Sequence, residues 1–169
     1  MQKEINLLQL TKFLVKAKKN TYTIMNSNKI KPERLKFNEI IYKENDFTYR
    51  DSYYGFFFAP GQEIVRYKMI PIWTMAYSGG MLKKYHPNKK NDNTKIEFAT
   101  EVFSFLKKVL LKVNVKLPYR GPINLIIGDW IYKNKVKGTI EDFHGKEVIY
   151  FKNKIVFQQY YIGGLIIDK

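Results

Sequence analysis

The chain has 169 residues, no cysteine, and 30 Lys and Arg residues against 15 Asp and Glu, which gives a formal net charge of +15. This length suits one domain with a buried core, and the lack of cysteine excludes disulfides, thiolate metal sites and cysteine nucleophiles. The N-terminal segment lacks the apolar core of a signal peptide, and no stretch approaches the roughly 18 apolar residues of a membrane span. We therefore expect one cytoplasmic domain over residues 1–169 without a membrane partner.

The positive charge has two interpretations. A strongly basic protein can bind DNA, RNA or another polyanion. An AT-rich genome would also encode many Lys residues, and Arg, whose planar fork pairs bidentately with guanine and phosphate, occurs at only four positions. Composition bias does not explain why the acidic residues number only half the basic ones. A nucleic-acid partner therefore stays open on charge alone.

The first half of the chain is predicted to hold one helix and three strands. Apolar residues at helical spacing predict an amphipathic helix over about residues 4–19. Residues 20–46 are polar and irregular and are predicted to form a long loop. A tight turn near Met69 and Ile70 separates the last two strands. The three predicted strands cover residues 47–54, 62–68 and 72–78.

The second half is predicted to repeat this order. The polar residues 83–94 are expected to form a flexible connector. A second helix is predicted over residues 96–113, with Thr94 as its N-cap and Glu97 completing a capping box. Three more strands are predicted at 129–137, 146–152 and 155–161. The fold class is therefore α+β, an antiparallel sheet of about six strands with two helices packed on one face.

Part of the sequence occurs twice. Residues 61–82 and 145–166 align without a gap at an offset of 84 residues, and a glycine, a glutamate, a lysine, a tyrosine and a closing Gly-Gly recur at equal positions. This pattern predicts a duplicated αβββ unit, with pseudo-repeats over about residues 4–82 and 95–167. A cleft between the two units would then be the natural place for a site. The alternative is that two unrelated three-stranded meanders look alike.

Several blocks, taken in order, resemble the family called domain of unknown function 5680. They are FLVKAKKNTY, YRDSYYG, GQEIVRY with PIWTMAY, LPYRGP, GTIEDFHGKEVIY and YIGGLI. The resemblance implies an uncharacterised domain that occurs alone or, in some members, after a helix-turn-helix DNA-binding domain. We expect no such preceding domain here, because the resemblance begins at the first helix. This chain departs from the family at FFFAPG (Phe56–Gly61), which is more aromatic and one residue longer. The resemblance implies no catalytic residues.

Three charged residues are candidate ligand contacts. Arg50 and Asp51 are adjacent in a predicted strand and point to opposite faces, so one of them faces the core or the cleft, where a charge needs a partner. They either contact a ligand or form a salt bridge that holds the sheet. Arg120 lies in a stiff loop between two prolines. It either contacts an anion or caps the second helix.

Four aromatic residues, Trp73, Tyr77, Phe157 and Tyr161, occupy equivalent positions in the two repeats and are expected to share one face of the sheet. They could line a pocket for a planar or cationic ligand. Alternatively, they form the core beneath the helices.

Glu63 and Glu147 are weak candidates for catalysis. They occupy equivalent positions, and paired carboxylates can perform acid–base chemistry, as in glycoside cleavage. The alternative is that each accepts a hydrogen bond from a neighbouring turn. The two histidines, His86 and His144, are predicted in a linker and in a turn, so we expect neither a metal site nor a cofactor.

The leading hypothesis is a non-enzymatic small-molecule-binding or sensor domain with a regulatory role. Its pocket would lie between the two units, lined by the four aromatics, with Arg50 and Arg120 as polar anchors. The second hypothesis is a nucleic-acid or polyanion binder that uses a Lys-rich surface, and the third is a small hydrolase. The sequence names no ligand and leaves a homodimer open.

Overall fold

The computed structural model describes residues 6–23, 31–88 and 92–168. Two α-helices, α1 (Leu7–Thr23) and α2 (Asn93–Leu110), accompany a short 3-10 helix at Lys83–Tyr85. The strands are β1 (Asn38–Glu44), β2 (Phe47–Tyr53), β3 (Gly61–Tyr67), β4 (Ile70–Met81), β5 (Asn124–Ile127), β6 (Trp130–Thr139), β7 (Asp142–Phe151) and β8 (Lys154–Leu165).

In the described part of the chain, all eight strands join one antiparallel sheet in the order β1-β2-β3-β4-β8-β7-β6-β5. The last strands of the two halves, β4 and β8, pair along the middle, with Tyr77 opposite Tyr161. Each half is a four-stranded meander preceded by one helix. The α+β class and the antiparallel sheet are therefore confirmed.

The prediction of about six strands is wrong, because it missed the two edge strands. Strand β1 falls inside the predicted loop 20–46, of which residues 24–30 lie outside the described residues, and β5 has only four residues. Edge strands are commonly short or charged, which blunts further pairing and weakens the alternation from which strands are recognised. β1, with the sequence NEIIYKE, shows this weakening.

The helix boundaries also differ from the prediction. Helix α1 extends to Thr23. Its start is capped by Asn6, whose side chain accepts a hydrogen bond from the Gln9 N–H. Residues 4 and 5 of the predicted helix lie outside the described residues. The N-cap of α2 is Asp92, not Thr94, which lies in the first turn. Aspartate is the better cap of the two. The predicted connector therefore holds a 3-10 helix and the start of α2, with residues 89–91 outside the described residues.

Both helices pack on one face of the sheet. Helix α1 buries Leu14 and Ala17 against Trp73 and Met75, and α2 buries its own apolar stripe in a second cluster that includes Phe157. Alternation along the strands sends every second side chain to the opposite face. We call that opposite face, on which no described helix packs, the open face.

Local irregularities recur in the two halves at the offset of 84 residues. Strand β4 carries one extra residue, Ile72, where its register with β3 shifts, and β8 carries Val156 at the equivalent shift with β7. Both residues are buried. The turns that precede β4 and β8 take positive φ at equivalent positions, namely Lys68, Met69, Lys152 and Asn153. Each half thus consists of one helix and four strands.

Candidate functional site

Charged side chains are concentrated beneath α1, on the helix-covered face. Lys18, Glu63 and Glu147 have no exposed surface, and Arg120 and Asp51 are 5% and 6% exposed. Such residues are almost never this buried unless they are paired. They come from α1, β3, β7, the loop before β5 and β2, so the whole fold is needed to bring them together.

Arg120 links the two equivalent glutamates. Its Nη2 and Nε donate to Oε1 of Glu147, at 2.7 and 3.1 Å. Its Nη1 lies 3.9 Å from Oε1 of Glu63, whose other oxygen is ion-paired with Lys18. Burial lowers the pKa of Lys18 despite this pairing. For Arg120, burial acts in the same direction, but the charge and hydrogen bonds of Glu147 together with the effects of Tyr22 and Glu63 outweigh it, and the pKa rises well above its ordinary value.

Glu147 has its remaining acceptor capacity filled by neighbouring side chains. The Tyr132 hydroxyl donates to Oε2 at 2.7 Å, and the Gln159 amide donates to Oε1 at 3.0 Å. One interpretation expected each glutamate side chain to hydrogen-bond a neighbouring turn, but among the described residues neither Glu147 nor Glu63 does so. Buried cations hold both carboxylates instead.

Asp51 and Tyr77 form a second polar pair next to this network. The Tyr77 hydroxyl donates to Oδ1 of Asp51 at 2.8 Å, and the Arg120 guanidinium lies 5.5 Å from the centre of the Tyr77 ring. Burial, with the negative charge of Glu63, raises the pKa of Asp51 to about 7. Burial and Asp51 likewise raise the pKa of Tyr77 well above its ordinary value, which keeps the phenol protonated as a donor.

A cavity of about 270 Å³ lies directly beside this polar group. Asp51, Tyr77, Arg120 and Gln159 form its polar part. The remaining lining comes from both halves of the chain and is largely apolar, with contributions from the end of α1, one side of α2, strands β1, β2, β4 and β8, and the loop after β2: Thr21, Tyr22, Ile40, Tyr53, Gly55, Phe56, Ala59, Gly79, Phe103, Leu106, Lys107, Leu110 and Phe157.

Tyr22, one of the residues that line the cavity, carries an unsatisfied polar group. Its hydroxyl oxygen is buried and has no hydrogen-bond partner among the described residues. Leaving such a group unpaired costs about 1–3 kcal/mol. Burial, with the charge of Glu63, raises the pKa of Tyr22 well above its ordinary value, so the hydroxyl stays protonated.

Of the seven predicted binding residues, the cavity brings together Asp51, Tyr77, Arg120 and Phe157. Trp73 lies in the core beneath α1 with no exposed surface, and its indole N–H donates to the Ile140 carbonyl at 3.1 Å. Tyr161 is also buried and donates to the side chain of Asn134 at 2.7 Å. Neither of these two lines the cavity.

Arg50 lies on the open face, away from the cavity and from its neighbour Asp51. Its guanidinium pairs with Glu33 at 2.6 Å and with Glu39 at 2.8 Å. This matches the alternative interpretation, in which a salt bridge holds the sheet. Arg50 and Asp51 cannot serve one site, because adjacent residues of a strand point to opposite faces of the sheet.

Lys18, Tyr22 and Gln159 complete the site and were not predicted. Lys18 lies four residues after Leu14 on the apolar stripe of α1. A charge at that position must find a buried partner, so the helical spacing carried a usable signal. Gln159 is a polar residue at an inward position of β8, which is a weaker sequence signal.

The described ranges contain no candidate metal centre. There, no group of three or more His, Asp or Glu side chains is placed to hold a metal ion. The ring of His86 contacts the Met81 carbonyl at 2.9 Å, and His144 lies exposed in β7 instead of in a turn. Neither described α-helix is long and apolar enough to cross a membrane.

Comparison with known proteins identifies a family for this chain. No curated protein and no solved structure matches it. The model of one family, Domain of unknown function (DUF5680), matches residues 51–166, which is more than half of the chain. The match begins in β2, later than the resemblance had indicated. The chain therefore belongs to the family Domain of unknown function (DUF5680).

Proposed function

We propose that this protein is a non-enzymatic small-molecule-binding or sensor domain with a regulatory role, and that its ligand occupies the cavity beside Asp51. The observation that carries the proposal is a mainly apolar cavity with one polar end formed by buried groups. Ligand sites in proteins commonly have this composition, because apolar walls supply affinity and a few placed polar groups fix orientation.

The charges beside the cavity favour a ligand with a cationic or hydrogen-bond-donating end. The buried network holds three carboxyl groups, on Asp51, Glu63 and Glu147, but only two cations, on Lys18 and Arg120. A further cation, Lys107, lines the cavity and is half-buried, but it makes no ion pair with Asp51. Glu63 and Glu147 already contact those cations, which leaves the Asp51 carboxyl without one. A ligand ammonium group at Asp51 would balance the charge. An aromatic or aliphatic body would then contact the apolar walls.

The recurrence of bulges, turns and buried glutamates supports a further part of this proposal, an internal duplication. The duplicated unit is one helix and four strands, not the predicted αβββ. Asp51 and Tyr77 come from the first half and Arg120 and Gln159 from the second, so the cavity lies between the two units.

Titration with a matched pair of probes tests the proposal. We expect 2-phenylethylamine to bind and 2-phenylethanol to bind at least tenfold more weakly, measured by chemical-shift changes or calorimetry. Asp51→Asn removes the charge but keeps an acceptor for Tyr77, so it should erase the preference for the amine. Asp46→Asn, in the exposed β1–β2 turn, is the matched control and should leave the preference intact. Equal binding of the amine by a folded Asp51→Asn variant would place the ligand elsewhere.

A further inference from the structure

The open face of the second half carries a row of lysines. Along β6, Lys133, Lys135 and Lys137 alternate with inward residues and are exposed. Alternate positions over five residues span about 13 Å. Lys146 of β7 lies directly opposite Lys135 in the register. The four side chains thus form one compact basic surface.

This arrangement is unfavourable for the protein alone. Like charges directly opposite one another on adjacent strands destabilise a sheet. None of the four lysines forms an ion pair with a carboxylate of the described residues. Asp142, at the end of β7, is the one acidic residue that β6, β7 and β8 direct to this face among the described positions. An anionic partner would relieve the repulsion.

Aromatic side chains lie among the lysines. Tyr160 of β8 is opposite Lys146, whose Nζ is 5.1 Å from the ring centre, and 54% of Tyr160 is exposed. On the same face, the Lys133 ammonium lies 5.4 Å from the centre of the Tyr150 ring. Ile162, two residues after Tyr160, is 61% exposed. An exposed ring with flanking cations is the combination that binds unpaired bases and their phosphates.

The surface is specific to the second half and so is not a mere result of composition. At the offset of 84 residues, Gln62 stands where Lys146 does and Ala76 where Tyr160 does. On the first half of the open face, Arg50 is already neutralised by two glutamates. The pair of the first half that corresponds to Lys135 and Lys146 in the register is Ser52 and Gln62, which carries no charge.

We propose that the open face of β6, β7 and β8 binds single-stranded nucleic acid. The lysines contact phosphates, and Tyr160 stacks on a base. Because these cations are all Lys, which lacks the bidentate fork of Arg, binding depends little on sequence. The paired, internally stacked bases of a duplex offer no face to Tyr160. This surface is on the opposite side of the sheet from the cavity, so the proposal stands or fails independently of the ligand site.

The test compares two triple variants with equal net charge. One removes surface lysines, Lys135→Gln, Lys137→Gln and Lys146→Gln. The other removes exposed lysines of the two-helix side, Lys12→Gln, Lys108→Gln and Lys112→Gln. Binding of fluorescein-labelled oligo(dT) and oligo(U) is followed by anisotropy from 50 to 200 mM salt, with circular dichroism and thermal midpoints confirming that each variant is folded.

We expect the surface triple to reduce the slope of log affinity against log salt by about 2, since each phosphate contact on a single strand contributes roughly 0.7. The control triple should leave the slope nearly unchanged. Tyr160→Ala should weaken binding roughly tenfold without changing the slope. Equal losses in the two triples would overturn the proposal, as would tighter binding to duplex DNA, or binding to phosphatidylserine vesicles without binding to either oligonucleotide.

Discussion

Arg120 and Glu147 make a two-pronged contact in the interior, with Nη2 and Nε of the arginine at 2.7 and 3.1 Å from one carboxylate oxygen. The loop before β5 is thereby fixed to the middle of β7. The same guanidinium also lies near Glu63 and over the ring of Tyr77. One side chain from the second half thus organises the polar groups of the first half and the polar end of the cavity.

Arg120→Met should destabilise the protein strongly, because it leaves Glu63 and Glu147 buried without this cation. Breaking a buried ion pair from one side typically costs about 3–5 kcal/mol. The double variant with Glu147→Gln should recover part of that loss, since it removes the uncompensated charge. Urea unfolding of the two single variants and the double variant measures both effects. A loss below about 1 kcal/mol for Arg120→Met would show that the contact is not important for stability.

Asp51→Asn should change how stability depends on pH. The carboxyl of Asp51 has a pKa of about 7 in the folded state, whereas the pKa of an aspartate in the unfolded chain is about 3.9. Between pH 5 and 8 the folded state therefore binds more protons than the unfolded state, so this residue makes stability fall as pH rises. The variant lacks this effect. The free energy of unfolding of the variant minus that of the wild type should therefore increase from pH 5 to pH 8.

Urea titrations at several pH values provide the measurement. Asp46→Asn is the control, because that aspartate is exposed at the β1–β2 turn. The difference between this control and the wild type should stay flat over the same range. A flat difference for Asp51→Asn as well would contradict a raised pKa at Asp51.

Binding of 2-phenylethylamine should strengthen with pH. The ammonium prefers ionised Asp51, and with a pKa of about 7 the ionised fraction rises from about one tenth at pH 6 to about nine tenths at pH 8. Apparent affinity scales with the competent fraction, so it should increase roughly tenfold. Calorimetry at pH 6, 7 and 8 measures this. Affinity that is constant across the range would mean that the amine does not contact Asp51.

Two tyrosine-to-phenylalanine changes should have opposite effects on stability. Tyr22→Phe removes a buried hydroxyl without a partner among the described residues, and we expect it to stabilise the ligand-free protein by about 1 kcal/mol. Tyr132→Phe removes the donor to Glu147 at 2.7 Å and should destabilise it by about 1–3 kcal/mol. Thermal unfolding compares the two variants. Destabilisation by Tyr22→Phe would indicate that its hydroxyl has a favourable partner.

The central strands could be predicted from sequence because their apolar alternation is regular and their glycines and turns recur at a fixed offset. Strands β1 and β5 could not, since edge strands bury little and so need little alternation. Short-range periodicity also placed Asp51 and Arg50 on opposite faces, which the register of β2 bears out. Trp73 and Phe157 show the limit of that reasoning. They are equivalent in sequence, but α1 covers one and the cavity borders the other.

The site itself depends on contacts between residues that are distant in sequence. Asp51 and Arg120 were predicted as separate candidates, but nothing local indicates that they line one cavity or that Tyr77 connects them. The pairing of Lys18 with Glu63 joins residues from α1 and β3. Such pairs follow from the packing of helices on the sheet, which composition and spacing do not specify.

Native mass spectrometry of the purified protein, before and after incubation with a nucleic-acid-free small-molecule extract of its host, tests the ligand site most directly. The account predicts a discrete adduct on the wild type and on Asp46→Asn that is lost or strongly reduced on folded Asp51→Asn. An adduct of equal abundance on all three proteins, or no adduct on any of them, would contradict it.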